Sequence, residues 1–147
     1  MKYRTLMLLS ICGAIYSLPT FGCGPRPPSR PQVHPVSGKV LYRGQPAKGL
    51  RVTFNALGDQ GKLRFAPAAI TDDKGEFQLH SYGTNDGAPL GEYAVTFQWP
   101  DHINNGMESD PLPEVDRLRN SYGDPKKSRF KVSVHEGQNA VEPFVLQ

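Results

Sequence analysis

Between Val36 and Leu146 apolar and polar residues alternate in short runs, and turn-forming residues separate the runs. A period of two sends successive side chains to opposite faces of a strand, whereas a helix would need its apolar residues three and four apart. Val36, Val40 and Tyr42 alternate with Ser37, Lys39 and Leu41; Leu50, Val52 and Phe54 alternate with Arg51, Thr53 and Asn55. Ala66–Thr71 is a weaker strand, because Pro67 cannot donate to a ladder and belongs at an edge. Phe77 with Leu79, Tyr93 with Val95, Phe97 and Trp99, Phe130 with Val132 and Val134, and Val141–Leu146 complete the set. The turns are Arg43–Pro46, Asp72–Gly75 and His135–Gln138. Seven short strands, with 15 Gly and 14 Pro in 147 residues, predict an all-β domain.

One connection breaks the rhythm. Pro100–Ser128 separates two strands by 29 residues, more than a compact domain normally spends on a loop. Within it Val115, Leu118 and Tyr122 are spaced i, i+3 and i+7, between Pro113 and Gly123, which predicts a short helix. Leu112, Val115, Leu118 and Tyr122 would pin the second half to the domain edge. The polar first half, Asp101–Asp110 with Asn104-Asn105-Gly106, is expected to move.

The N-terminus follows different rules. Lys2 and Arg4 precede the apolar run Leu6–Ile15, which has the length of a signal-peptide core and is too short to span a bilayer. Leu18-Pro-Thr-Phe-Gly-Cys23 resembles a lipobox, in which a small residue precedes a cysteine that becomes the lipidated mature N-terminus. Thr20 stands where that pattern usually has Leu. The alternative is an ordinary secretory signal cut after Ser17 or Gly22, leaving Cys23 free. Residues 1–22 are therefore expected to be a signal peptide. Cys23 is the expected lipidation site, and a free thiol in an oxidising compartment would be a liability. Gly24–Pro35 holds five prolines and predicts an extended tether, about 3.1 Å per residue or roughly 35 Å in all. Residues 36–147 form the folded domain. Cys12 leaves with the signal, so no internal disulfide is available.

Several motifs carry a family likeness. His34-Pro-Val-Ser-Gly-Lys-Val40, Gly44-Gln-Pro-Ala47 and Val52-Thr-Phe54, then Thr71-Asp-Asp-Lys-Gly-Glu-Phe77, then Gly91-Glu-Tyr-Ala-Val95 resemble carboxypeptidase-regulatory-like, transthyretin-like domains. Asp116-Arg117-Leu118 and Tyr122-Gly-Asp-Pro125 are similar to pieces of small exported bacterial lipoproteins built on that domain. The likeness spans Val33–Gln147. It implies a seven-stranded antiparallel Greek-key β-sandwich of the transthyretin-like (prealbumin-like) kind, here with a long insertion carrying a short helix. It implies no particular activity, since one fold hosts many functions.

Catalytic chemistry is hard to find. His34, His80, His102 and His135 lack paired ligand spacing, so they read as scattered surface histidines, and no metal or cofactor is expected. Asp72 and Asp73 suit a solvated hairpin turn better than a calcium site, which needs six to eight oxygens. One transthyretin-like enzyme, a hydroxyisourate hydrolase, ends in Tyr-Arg-Gly-Ser; Tyr42-Arg-Gly-Gln45 is similar but lies after the first strand and reads as a turn. Tyr93, Phe97 and Trp99 share a face that would be core, or else a sugar platform. Without the signal, 15 basic and 14 acidic residues remain, giving no electrostatic reason for a nucleic-acid partner.

The expected function is thus a non-enzymatic, membrane-tethered binding or structural module of the bacterial envelope. Its partners would be the membrane, through the lipid, and an envelope protein or glycan. The alternative is a small transthyretin-like hydrolase or metal-dependent enzyme. The candidate binding loop lies in the insertion, with Asp101, His102, Asn104, Asn105, Asp116, Arg117 and Tyr122 as its residues. An insertion that merely covers a sheet edge is the competing reading.

Overall fold

The computed structural model describes residues 30–58, 65–101 and 115–147. The expected signal peptide, Cys23, the first half of the tether, and His102, Asn104, Asn105 and Leu112 lie outside the described residues. Among the described residues the fold is all β, with no helix. Its strands are β1 (Val33–His34), β2 (Val36–Tyr42), β3 (Gln45–Pro46), β4 (Arg51–Ala56), β5 (Ala68–Ile70), β6 (Glu76–Gln78), β7 (Ala88–Pro89), β8 (Gly91–Gln98), β9 (Pro100–Asp101), β10 (Val115–Asp116), β11 (Lys131–Val134), β12 (Asn139–Ala140) and β13 (Phe144–Leu146).

Two sheets carry the core. One is antiparallel in the order β11-β8-β4-β5. The other is built around β2, which pairs with β3 and β6 on one side and with β12 and β13 on the other. Val52, Phe54, Tyr93, Val95 and Phe97 from the first sheet share one buried cluster with Val36, Val40, Phe77, Phe144 and Leu146 from the second. Aromatic rings join the two layers: Phe54 to Phe77 at 6.5 Å between centroids and Phe97 to Phe144 at 5.2 Å. At one corner the layers are stitched by backbone, since Ala68 and His80 exchange N–H···O bonds of 3.1 and 3.0 Å.

Period-two patterning accounts for β2, β4 and β6, and Pro67 does put β5 at a sheet edge. Four expectations need correction. The domain is not wholly antiparallel, because β12 and β13 run parallel to β2. Between them one more residue is used on their side than on β2, and Pro143, which has no N–H to donate, sits in that interruption. Next, the helix predicted through Tyr122 does not form over Val115–Tyr122. Val115–Asp116 is a strand followed by turns, and Arg119 and Asn120 take φ of 52° and 58°, which no right-handed helix accepts. Trp99 is not core: it is half-buried beyond the end of β8, where Ala94 and Thr96 are buried although alternation would expose them. Finally, His34 is not a surface histidine. It is 8 % exposed in β1, which pairs with β7, so the fold takes in the last residues of the expected tether.

The Asp72–Gly75 turn shows how local chemistry sets the architecture. One Asp72 carboxylate oxygen accepts the N–H groups of Lys74 and Glu76 at 2.9 and 2.8 Å, closing an Asx turn. Gly75, at φ +73°, lets the turn lie against β2: a β-carbon there would come within 2.5 Å of the Val40 carbonyl. Thr71, buried ahead of the turn, accepts the Leu50 N–H at 2.8 Å and donates to the Ala47 carbonyl. The hairpin and the 47–50 loop are thereby locked together.

Candidate functional site

The direction of β2 divides the molecule into two ends. Val36, where β2 begins, adjoins β1, β12 and the segment bearing β7. Tyr42, where it finishes, lies about 20 Å away at the usual strand rise. At this second end the Arg43–Gln45 turn, the 47–50 loop, the Asp72–Gly75 turn, Trp99, the stem of the insertion and Leu146 come together.

The insertion is pinched at its base. Pro100–Asp101 pairs antiparallel with Val115–Asp116, so residues 102–114 leave from and return to a two-stranded stem. Asp116 organises the return. Its carboxylate accepts N–H groups from Trp99 at 2.8 Å, Leu118 at 3.0 Å and Asn120 at 2.8 Å. Tyr122 is structural too. Its carbonyl accepts the Phe97 N–H at 3.0 Å. Its hydroxyl donates to the Gln147 carbonyl at 3.0 Å and accepts the Gln147 N–H at 3.1 Å. It therefore satisfies main-chain groups just beyond β13. Leu118 is buried, and Tyr122 packs against Phe97 and Phe130. Of the candidate loop residues, the fold uses Asp116 and Tyr122 as architecture and leaves Asp101 and Arg117 at the surface.

Arg117 belongs to a row that sequence reasoning missed. The Arg117 guanidinium lies 4.8 Å from the Trp99 ring centre; Trp99 meets Tyr42 edge-on at 5.5 Å; Arg43 lies 5.1 Å from the Tyr42 ring. Trp99 is fixed by its indole N–H, which donates to the Lys48 carbonyl at 2.9 Å. Arg43, at φ 50°, is held by its own N–H to the Leu146 carbonyl at 2.9 Å. Residues that are distant in sequence thus form one ridge, Arg43–Tyr42–Trp99–Arg117. The available signal was the Tyr42-Arg43 pair at the end of one strand and Trp99 at the end of another. Nothing in the spacing said that the two ends meet.

The acidic side chains near this ridge are engaged. Asp72 and Asp116 hold backbone N–H groups, Lys48 and Asp73 pair at 2.6 Å, and Arg117 stands 4.0 Å from Asp101. The Lys48–Asp73 hydrogen bond and charge attraction raise the lysine's pKa. Among the described residues no carboxylate pairs with Arg43 within 4 Å.

The opposite end has its own polar loop. Asp86 accepts N–H groups from Ser81, Tyr82 and Gly83 at 2.7, 2.9 and 2.8 Å. Burial pushes its carboxyl up, but these backbone bonds together outweigh that and hold it below the usual carboxylate range. His34 accepts the Gly137 N–H on Nδ1 at 3.1 Å, while His80 and His135 are exposed. Among the described residues no three His, Cys, Asp or Glu side chains gather into a metal-sized cluster. A concavity of about 590 Å³ lined by Ser37, Lys39, Glu76, Gln78 and Val141 is open and polar.

No family model matches the chain, and no curated protein matches it. Among solved structures it is similar to a DUF3823 family protein from Parabacteroides merdae, with 14 % identity and a TM-score of 0.41 over 77 % of this chain and 45 % of that one. A DUF3823 family protein from Bacteroides ovatus shows 12 % identity and a TM-score of 0.40 over 75 % of this chain and 44 % of that one. A 9R-lipoxygenase from Cyanothece shows 11 % identity and a TM-score of 0.41 over 78 % of this chain and 16 % of that one. The chain thus spans less than half the length of each.

Proposed function

We propose that the chain is an exported, non-catalytic binding module of the bacterial envelope, anchored by lipid on Cys23 and built as a transthyretin-like Greek-key β-sandwich. The observation that carries the reading is the polarity of β2. The chain enters the domain at the Val36 end, and the Arg43–Tyr42–Trp99–Arg117 ridge lies at the other. A domain held through Cys23 and the proline-rich segment after it would turn that ridge away from the membrane.

The non-catalytic part rests on what the polar side chains do. Asp72, Asp86 and Asp116 spend their carboxylates on backbone N–H groups, and buried Thr71 spends its hydroxyl on a loop. Such groups are building material and are not free to move protons. The anchoring part rests on the lipobox-like Gly22-Cys23 and the prolines that follow it.

Intact-mass analysis of the mature chain tests the anchor. The expected species begins at Cys23 and carries at least two acyl chains, since one chain binds a bilayer only marginally. Cys23→Ser should release the protein from the membrane fraction. An unmodified Cys23 in a membrane-free chain refutes the anchor.

A further inference from the structure

We propose that the Arg43–Tyr42–Trp99–Arg117 ridge binds an anionic polysaccharide whose sugar rings carry repeating carboxylates, a polyuronate. The inference deepens the binding-module reading above and rests on it.

A guanidinium that stacks on an aromatic ring uses its flat face for the ring and keeps its N–H edge for a planar anion. Arg117 lies over Trp99, and its carboxylate neighbour Asp101 is 4.0 Å away, beyond hydrogen-bond length. Arg43 lies over Tyr42, and among the described residues no carboxylate pairs with it. Stacking also limits side-chain rotation, so less entropy is lost when each edge takes up a bidentate carboxylate.

The two guanidinium edges are separated by two rings in edge-to-face contact. A polymer with repeating carboxylates can engage both and gain from effective concentration. Between the charges the ligand must cross Tyr42 and Trp99. A pyranose offers C–H groups to such rings while presenting its carboxylate at the ring edge. An acidic peptide would instead lay a hydrated amide backbone across them, whose groups need partners. Of the nearby carboxylates Asp73 is offset by Lys48, and Asp101, 4.0 Å from Arg117, is the one an incoming anion must displace.

The test uses the full-length chain, purified in detergent micelles from the membrane fraction, or without detergent if it is soluble. Binding is therefore measured whether or not the anchor exists. Immobilised polygalacturonate is the probe, with neutral dextran and poly-glutamate beside it. Saturable binding to polygalacturonate is expected, weakened about tenfold by Arg43→Gln and by a further factor of about ten when Arg117→Gln is added. Lys126→Gln with Lys127→Gln, a basic pair outside the ridge, should change it less than about twofold. Arg43 is exposed, and an unchanged melting temperature of Arg43→Gln makes its effect one of binding and not of folding. Absence of binding to polygalacturonate, equal binding to dextran, or an equal loss with the lysine pair overturns the proposal. Poly-glutamate binding as tightly also overturns it and reassigns the ridge to acidic protein segments.

Discussion

Removing one hydroxyl should loosen the whole ridge-bearing end. Thr71 is buried, and Val is nearly its isostere, so Thr71→Val leaves no cavity and isolates the polar loss. The change strips the Leu50 N–H of its acceptor and the Ala47 carbonyl of its donor. A buried group left unsatisfied costs about 1–3 kcal/mol, so the pair should cost about 2–6 kcal/mol. For a domain of this size that lowers Tm by about 8–25 °C. Thr71→Ser keeps the hydroxyl and loses one methyl, a cost of about 1 kcal/mol. Urea and thermal unfolding followed by far-UV circular dichroism measure both variants. Because the Lys48 carbonyl in the same loop holds the Trp99 indole, tryptophan fluorescence should shift in Thr71→Val and not in Thr71→Ser. A Val variant within about 1 kcal/mol of the parent, or a Ser variant as damaged as Val, refutes the locking role.

Sequence reasoning reached the fold class because inward-facing residues of half-exposed strands must alternate, and Val36, Val40, Val52, Phe54, Phe77 and Leu79 do so and are buried. It erred where tertiary context overrode the local pattern. The alternation of β8 picks out Tyr93, Val95 and Phe97, which are core, but β8 sits between β4 and β11 and is buried on its other face too, at Ala94 and Thr96, which a period of two does not show. Val115, Leu118 and Tyr122 had helical spacing, yet Leu118 and Tyr122 reach the core from consecutive turns, and Val115 is 57 % exposed. Those turns depend on the Asp116 carboxylate binding the Leu118 and Asn120 N–H groups, a side-chain choice that periodicity does not record. The parallel pairing of β13 with β2 is likewise invisible, since it is a long-range partner choice and not a local pattern. The ridge is half legible: Arg117 stands among the candidate loop residues and Trp99 follows the aromatics of β8, but their contacts with Tyr42 and Arg43 need the fold to bring residues 42, 99 and 117 together.

Three further outcomes follow from the same geometry. Gly87→Ala should destabilise the domain by at least about 3 kcal/mol, because at φ +93° a β-carbon overlaps the His34 carbonyl; soluble yield and melting temperature report it, and a neutral Ala variant contradicts the packing of β1 on this segment. Asp86→Asn should lower stability at pH 7 and matter less in acid. A carboxyl held below its ordinary value contributes stability above the unfolded value near pH 4, and that contribution is lost as pH falls through the folded value, so the parent and variant melting curves should converge there. Tyr93 gives the opposite limb. Its hydroxyl donates to the Pro89 carbonyl at 2.8 Å, and burial first, with the Tyr82 charge second, pushes its pKa up to about 12. An unfolded tyrosine ionises near pH 10, so between about pH 10 and 12 the unfolded chain sheds a proton that the fold retains. The contribution is fully present below pH 10 and disappears as pH rises towards 12, which makes alkaline unfolding steep. Tyr93→Phe should cost about 1–2 kcal/mol at pH 7, through the lost hydrogen bond and the stranded carbonyl, and should flatten that alkaline limb. Stability against pH from urea melts reads both effects together. If the Phe variant loses stability between pH 10 and 12 as steeply as the parent, the proton is held elsewhere and Tyr93 is not its site.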